Sequence, residues 1–564
     1  MKELYLDVME KAVGAYTIPL IEEYIDTVRR DGLSEHGFPR LAADIGILIA
    51  HGRMTHLKDV FIRLMDLCCA EMPVAYQRSK NSQVGNEFSV KEIVMCLMTL
   101  EEYNAFPDEL SRWKDAIRSM NPYAIYAHIA PVPPVPMHNW AAFAAASEQL
   151  RIYAGLGAPE SPAFVDNQVA SQLFNFDENG MYRDPNEPFV YDLTTRLQLS
   201  LVMHYGFDGS NAEALREQLM KGSMQTPLMQ SVTGEIPFGG RSNQFLHNEP
   251  TFAALFEYEA RQHQKNGDLK KAGQCKQAAM LAIQNTLRWL DTEHVYHIKN
   301  GYEPFGGYGC EPYGYFHKYM VTTASFAHFA YLLADDTIAE QPCAALNENR
   351  IHRTGDHFHK TFIKFGEYFL EYETRADFHY DCNGLGRLHR RNAPSALCLS
   401  VPVTPTPNYG LDLTNPGPLS LCAGLKNAAG EVHFSCEEGT RFELLAQSIT
   451  DDSARLLWQV TLPDGSAFTE ECTVTNESVV LRFAAPGEII ALLPAFEGDG
   501  WRRSEISAEA AAAHIRYEGF ECRYDASAPL SLLPEVYANR SGHYRAFEAR
   551  AEGEVTIRIT IDKI

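Results

Sequence analysis

Positive charge is scarce in this 564-residue chain: 49 Lys and Arg face 73 Asp and Glu, a formal net charge of −24. Such a surface repels a polyanion on average, and no basic arm is present to grip phosphates, which excludes nucleic acid as an expected partner. Long apolar runs are also missing. Glu3, Asp7 and Glu10 interrupt the stretch where a signal peptide needs an apolar core. The least charged segment, residues 121–147, carries five prolines that would break a spanning helix. These absences predict a cytoplasmic protein that does not cross a membrane.

Signature loops are lacking as well. There is no G-x-S-x-G elbow and no phosphate-binding G-x-x-x-x-G-K-[ST], and Gly384-Leu-Gly-Arg387 lacks the third glycine of a dinucleotide fingerprint. The 12 cysteines show no C-x-x-C; only Cys68 and Cys69 are adjacent, and the set is expected to be reduced, mostly buried thiols. His352, His357, His359, His379 and His389 crowd together, with His357 and His359 expected on one face of a strand. No Cys or carboxylate stands at ligand spacing beside them, so neither a metal nor another cofactor is expected.

What is present is a large core, with 45% hydrophobic and 11% aromatic residues. From Leu4 to about Asp336 apolar residues recur at helical spacing, as in Phe252, Leu255, Phe256 and Ala260. Past Asn349 the period becomes two, as in Phe358 to Phe365 and Glu554 to Ile561, with Gly-bearing turns between short strands. Two domains are expected, a helical one over 1–345 and an antiparallel β-sandwich over 346–564. Glu187, Glu249 and Glu311 each precede a proline and are spaced by 62 residues both times. That is close to the roughly 58 residues per hairpin of six helical hairpins closing a ring, an α/α toroid.

Candidate chemistry gathers in three Gly- or Pro-marked segments. In residues 238–250 two glycines precede Arg241, Asn243, Gln244, His247, Asn248 and Glu249, and Pro250 is expected to push Glu249 out of the helix that follows. An Arg fork, fixed amides and a His–Glu pair at a helix start suit recognition of an acidic sugar. Residues 303–319 bring Glu311, Tyr313, Tyr315 and His317; tyrosine faces stack on a pyranose, and a phenol beside a cation can move a proton. In residues 184–196, Asp192 and Arg196 lie one turn apart and can pair with each other. His138 and Trp140 open another helix, Trp140 as a sugar platform or as core. Arg387, His389 and Arg390 read as surface charges.

The layout, with Arg241-Ser-Asn-Gln-Phe-Leu-His-Asn-Glu249 and Tyr315-Phe-His-Lys-Tyr-Met-Val-Thr-Thr-Ala-Ser-Phe326, resembles the heparinase II/III-like carbohydrate enzymes, most closely the toroidal exo-β-glucuronidase glycoside hydrolases. The resemblance implies a toroid cleft, closed by a β-sandwich, that binds a uronic acid-containing oligosaccharide. Self-association into a homo-oligomer stays open. A hydrolase would use two carboxyls, Glu249 and Glu311 with Asp192 in reserve, to release a terminal uronic acid. A lyase would use Tyr315 and His247 to move protons, with Asn248 and Arg241 neutralising the uronate. Arg196, Asn243, Gln244, Tyr313, His317, Trp140 and His138 are the expected substrate contacts, and a glycan-binding protein without catalysis is the third reading.

Overall fold

A computed structural model describes all residues except 79–83, 128, 130–138, 293 and 428. Among the described residues six helices form a closed inner ring: Gly37–Ala50, Asn86–Glu102, Asn139–Tyr153, Phe189–His204, Asn248–Lys265 and Phe316–Leu333. Each packs on the next and the last on the first. Outside them lie Lys58–Glu71, Pro107–Arg118, Ser161–Leu173, Ala212–Met229, Leu269–Leu290 and Lys2–Gly14. This is an α/α toroid. Inner helices are buried almost all round, which their apolar sequence demands; Leu41, Ile45, Ile47 and Leu48 of the first are wholly inaccessible.

Hydrogen bonds also close the ring. The Tyr16 hydroxyl donates to the His317 carbonyl (2.9 Å) and accepts from the Val321 N–H (3.1 Å), while Ser325 donates to Asp44 (2.9 Å). The Glu-Pro rhythm marks inner helices: Glu187 and Glu311 precede the fourth and sixth. Glu249 departs from expectation, lying inside the first turn of the fifth. Pro250 is tolerated there because a helix's first N–H groups have no partner to lose.

Among the described residues the last helix, Ala344–Asn347, is followed by strands only. Arg350–Arg353, Lys360–Phe365, Tyr368–Glu373 and Gly384–Arg390 form a four-stranded antiparallel meander. A second, 12-stranded antiparallel sheet is built around the long strands Val479–Gly498 and Gly542–Lys563. The small sheet is the middle layer. Ile363, Phe365, Leu370 and Tyr372 share a core with Leu456, Trp458 and Leu481 of the large sheet, whereas Phe362 and Phe369 pack on Phe189, Met229 and Val232 of the toroid.

That position corrects two expectations. His357 and His359 sit in the turn before Lys360, not on a strand, and His359 bonds Glu187 (2.9 Å). Arg387 and His389 are buried rather than surface charges, because a middle sheet has no solvent face. Arg387 pairs with Glu371 (3.1 Å) and donates to the Ile236 carbonyl (2.6 Å), and His389 bonds Ser231 (2.8 Å). Lys360 joins Glu371 (3.0 Å) and Glu373 (3.3 Å) on the same toroid-facing side. The 12 cysteines are free thiols, all buried except Cys69. No described helix is long and apolar enough to cross a membrane.

Candidate active site

The first turns of the inner helices and the loops leading into them enclose a cavity of about 220 Å3. It receives His36 and Arg40 from the first helix, Phe88 from the second, Asn139 and Trp140 from the third, and Tyr191 and Thr194 from the fourth. The loop before the fifth helix adds Arg241, Ser242 and His247, and the sixth with its loop adds Tyr313, Lys318 and Tyr319. No Asp or Glu is among the described residues that line it.

The loop of residues 239–247 is the centre of this arrangement. Gly240 has φ +73°, and a Cβ there would lie 2.6 Å from Pro188, so glycine alone fits. Ser242 (φ 60°) and Gln244 (φ 65°) adopt the left-handed region despite their side chains, conformations that persist only where surroundings over-determine them. Carboxylates hold the backbone leading into Ser242, and the Lys299 N–H holds the Gln244 carbonyl (2.9 Å). Phe238 N–H donates to Glu371 (3.2 Å), Gly240 N–H to Asp381 (3.0 Å) and Ser242 N–H to Glu311 (2.6 Å). Asn243 donates to the Pro237 carbonyl (3.0 Å) and Asn248 to the Ser242 carbonyl (3.2 Å).

The Ser242 hydroxyl thereby meets the Tyr191 (3.1 Å) and Tyr313 (3.0 Å) phenols. Tyr319 lies tilted against His247 with ring centres 5.2 Å apart, and 6.1 Å from Tyr313. Arg241 lies over the Tyr191 ring (4.4 Å) and is aimed by the buried Asp184 and the Pro185 carbonyl (2.6 Å). Lys318 Nζ stands about 6 Å from the rings of Tyr313 and Tyr319.

Burial, helped by the positive charge of Arg40, pushes His247 down to about 3, so its imidazole is neutral at physiological pH, and its Nδ1 has no hydrogen-bond partner among the described residues. Burial raises the Tyr191, Tyr313 and Tyr319 phenols, which therefore hold their protons. It lowers Lys318, with Arg40 acting in the same direction. The cavity thus pairs a neutral imidazole, able to accept a proton, with phenols able to donate one, beside cations that suit an anion.

The expected acids lie elsewhere. Glu311 is clamped by Arg540 of the large sheet (2.6 and 3.0 Å), both about 1% exposed. Glu249 and Glu235 share Lys299 (2.9 and 3.4 Å). Burial raises both carboxyls; for Glu235 the attraction of Lys299, with His389, Arg387 and the Ser395 hydroxyl adding to it, outweighs burial and holds the group below the usual carboxylate range, whereas Glu249 stays raised. Asp192 pairs with Arg196 (2.7 Å), the one-turn salt bridge the spacing allows, and Arg196 also reaches Glu259 (3.3 Å).

Of the other expected residues, Arg241, His247, Tyr313 and Trp140 line the cavity, while Asn243 and Asn248 brace the loop from behind. Gln244 faces a second cavity. Tyr315 is 43% exposed at the helix start, and His317 packs on Tyr24 (5.2 Å). His138 lies outside the described residues. His36, Arg40, Tyr191, Ser242, Lys318 and Tyr319 were not singled out; a consistent signal is that most stand within a turn of an inner helix start.

No family model matches the chain, and no curated protein matches it at a significant level. In fold it is similar to solved structures of low identity. Heparinase III is 9% identical, with 95% of this chain and 78% of that one covered at TM-score 0.49. The heparan sulfate lyase HepC from Pedobacter heparinus is 9% identical (93% and 75% covered, TM-score 0.45). The Streptomyces coelicolor A3 chondroitin AC lyase, solved with chondroitin sulphate, is 11% identical (99% and 79%, TM-score 0.49).

Proposed function

We propose that the protein is a lyase that cleaves a uronic acid-containing glycan by β-elimination in the toroid cavity, residues 1–345 forming the catalytic unit. The observation that carries this reading is the lining itself: imidazole, phenols and cations, with no carboxylate among its described residues. Arg241 binds the uronate carboxylate, and the charge it withdraws acidifies the proton on the adjacent ring carbon. His247 takes that proton. The glycosidic carbon–oxygen bond breaks as the ring double bond forms, and Tyr313 protonates the leaving oxygen. Trp140 offers a face for an adjoining sugar.

Hydrolysis, the exo-acting removal of a terminal glucuronic acid, needs two carboxyls across the scissile bond. Glu249, Glu311 and Asp192 are each ion-paired and none lines the cavity, which favours elimination. Incubation with glucuronic acid-terminated oligosaccharides, followed by mass spectrometry and ultraviolet absorbance, tests the choice. Elimination yields products whose masses sum to that of the substrate, one absorbing through its conjugated double bond. Products heavier by a water without new absorbance would overturn the lyase reading.

A further inference from the structure

A second cavity, of about 300 Å3, runs along the seam between the toroid and the large sheet. The loop of residues 239–247 separates it from the first: Gln244 lines the seam cavity, whereas Arg241, Ser242 and His247 line the other. Its lining joins Trp289 and Tyr296 of the toroid and Trp501 and Tyr517 of the sheet to Arg288 and Arg502, and its four carboxylates are engaged: Glu235 with Lys299, Asp291 with Lys11, Asp499 with the Tyr517 hydroxyl and Glu518 with Arg502.

Trp501 is the informative residue. Its side chain is 39% exposed, yet its backbone is locked. Asp499 accepts from the Trp501 N–H (2.8 Å), the Arg502 N–H (2.7 Å) and the Tyr517 hydroxyl (2.7 Å). The Asp499 carbonyl accepts from the Gly301 N–H (2.8 Å), and a Cβ on Gly301 would come within 2.6 Å of Trp501 Cβ. A tryptophan fixed at its backbone and facing water leaves apolar area uncovered, and only its side-chain torsions remain to be ordered when a ring stacks on it. The Arg502 guanidinium lies 4.3 Å from the indole ring and is paired with Glu518. Arg288 is exposed and makes no hydrogen bond or ion pair with a described residue.

We infer that the seam cavity is a second saccharide site, which stacks a pyranose on Trp501 and pairs its carboxylate or sulfate with Arg288. The inference rests on the functional reading above only for the class of sugar. Its test is calorimetric titration of the full chain carrying Tyr313→Phe with a tetrasaccharide alternating glucuronic acid and N-acetylglucosamine, its 6-sulfated form, and its carboxyl-reduced neutral form.

Two acidic ligands per chain are expected, and Trp501→Ala or Arg288→Ala weakens one of the two by about tenfold while the thermal midpoint holds. Arg288 is exposed, so its loss does not threaten the fold. Tighter binding of the sulfated form at the seam would assign sulfate to Arg288; equal binding would assign carboxylate. One ligand per chain, no binding, or two sites indifferent to both substitutions and to carboxyl reduction would overturn the inference. Two-site binding without any unsaturated product in the turnover assay would keep the seam site and remove the lyase reading.

Discussion

Replacing Arg540 by methionine separates a structural role for Glu311 from a catalytic one. Glu311 receives two guanidinium bonds and the Ser242 N–H, and Arg540 additionally donates to the Gly309 carbonyl (2.7 Å). Both side chains are shut off from water, so methionine leaves an uncompensated buried carboxylate, which costs about 3–5 kcal/mol. Glu311→Gln on top removes that charge while keeping an acceptor for Ser242, so the double variant is expected to be more stable than Arg540→Met alone. The two single effects should miss additivity by about 2 kcal/mol or more. Denaturant melts of the four proteins, read by tryptophan fluorescence, give the cycle. If Arg540→Met costs less than about 1 kcal/mol, or the effects add within about 0.5 kcal/mol, the ion pair is not what holds the loop. A Glu311→Gln variant that is as stable as the native chain yet inactive would return Glu311 to the chemistry.

Other expectations are independent of that pair. Tyr313→Phe keeps the ring and removes the proton donor, and turnover is expected to fall by about 10²–10⁴-fold with the melt unchanged, as followed by product absorbance. Burial raises Glu470 from 4.5 to about 7, with the Tyr372 hydroxyl as its one hydrogen-bond partner among the described residues. Because the folded value is raised, its contribution to stability is present below pH ~4.5 and lost as pH climbs through ~7. Glu470→Gln should therefore flatten the decline in stability between those limits by about 3 kcal/mol; an unaltered stability–pH profile would contradict the assignment. A Cβ on Gly46 would lie 2.4 Å from Phe61 and 2.6 Å from Cys96 Sγ, so Gly46→Ala is expected to cost about 1–3 kcal/mol in a denaturant melt despite alanine's better helix propensity.

The two-part architecture was legible because hydrophobic period is a local property: it switches from helical to alternating near residue 349, where the strands begin. The loop of residues 239–247 was legible too, since two glycines and a proline bracket a polar run. Which of its side chains face the cavity was not, because the left-handed Ser242 and Gln244 turn neighbouring residues to opposite sides. Glu249, Glu311 and Asp192 lie outside the cavity lining, each held in an ion pair. Asp192 pairs with Arg196 one turn away, whereas Glu311 and Glu249 are held by cations far off in sequence, Arg540 and Lys299, which no local pattern reveals. Arg387 and His389 misled because alternation shows a strand but not how many of its faces are covered.

The closed ring sets a constraint on how the chain can form. Met1 and Tyr16 meet Asp336 and His317 across more than three hundred residues, so the opening helices keep an unpaired apolar flank until the sixth inner helix has been synthesised. The large sheet repeats the delay, since Gly542–Lys563, close to the end of the chain, pairs with Val479–Gly498 in its middle. Contacts of such high order are slow to form and leave sticky intermediates, which makes refolding slow and concentration-sensitive. A chain cut before residue 542 loses Arg540's strand-pairing neighbours and the central rung of the sheet together, so recombinant fragments of this β region are expected to aggregate rather than fold.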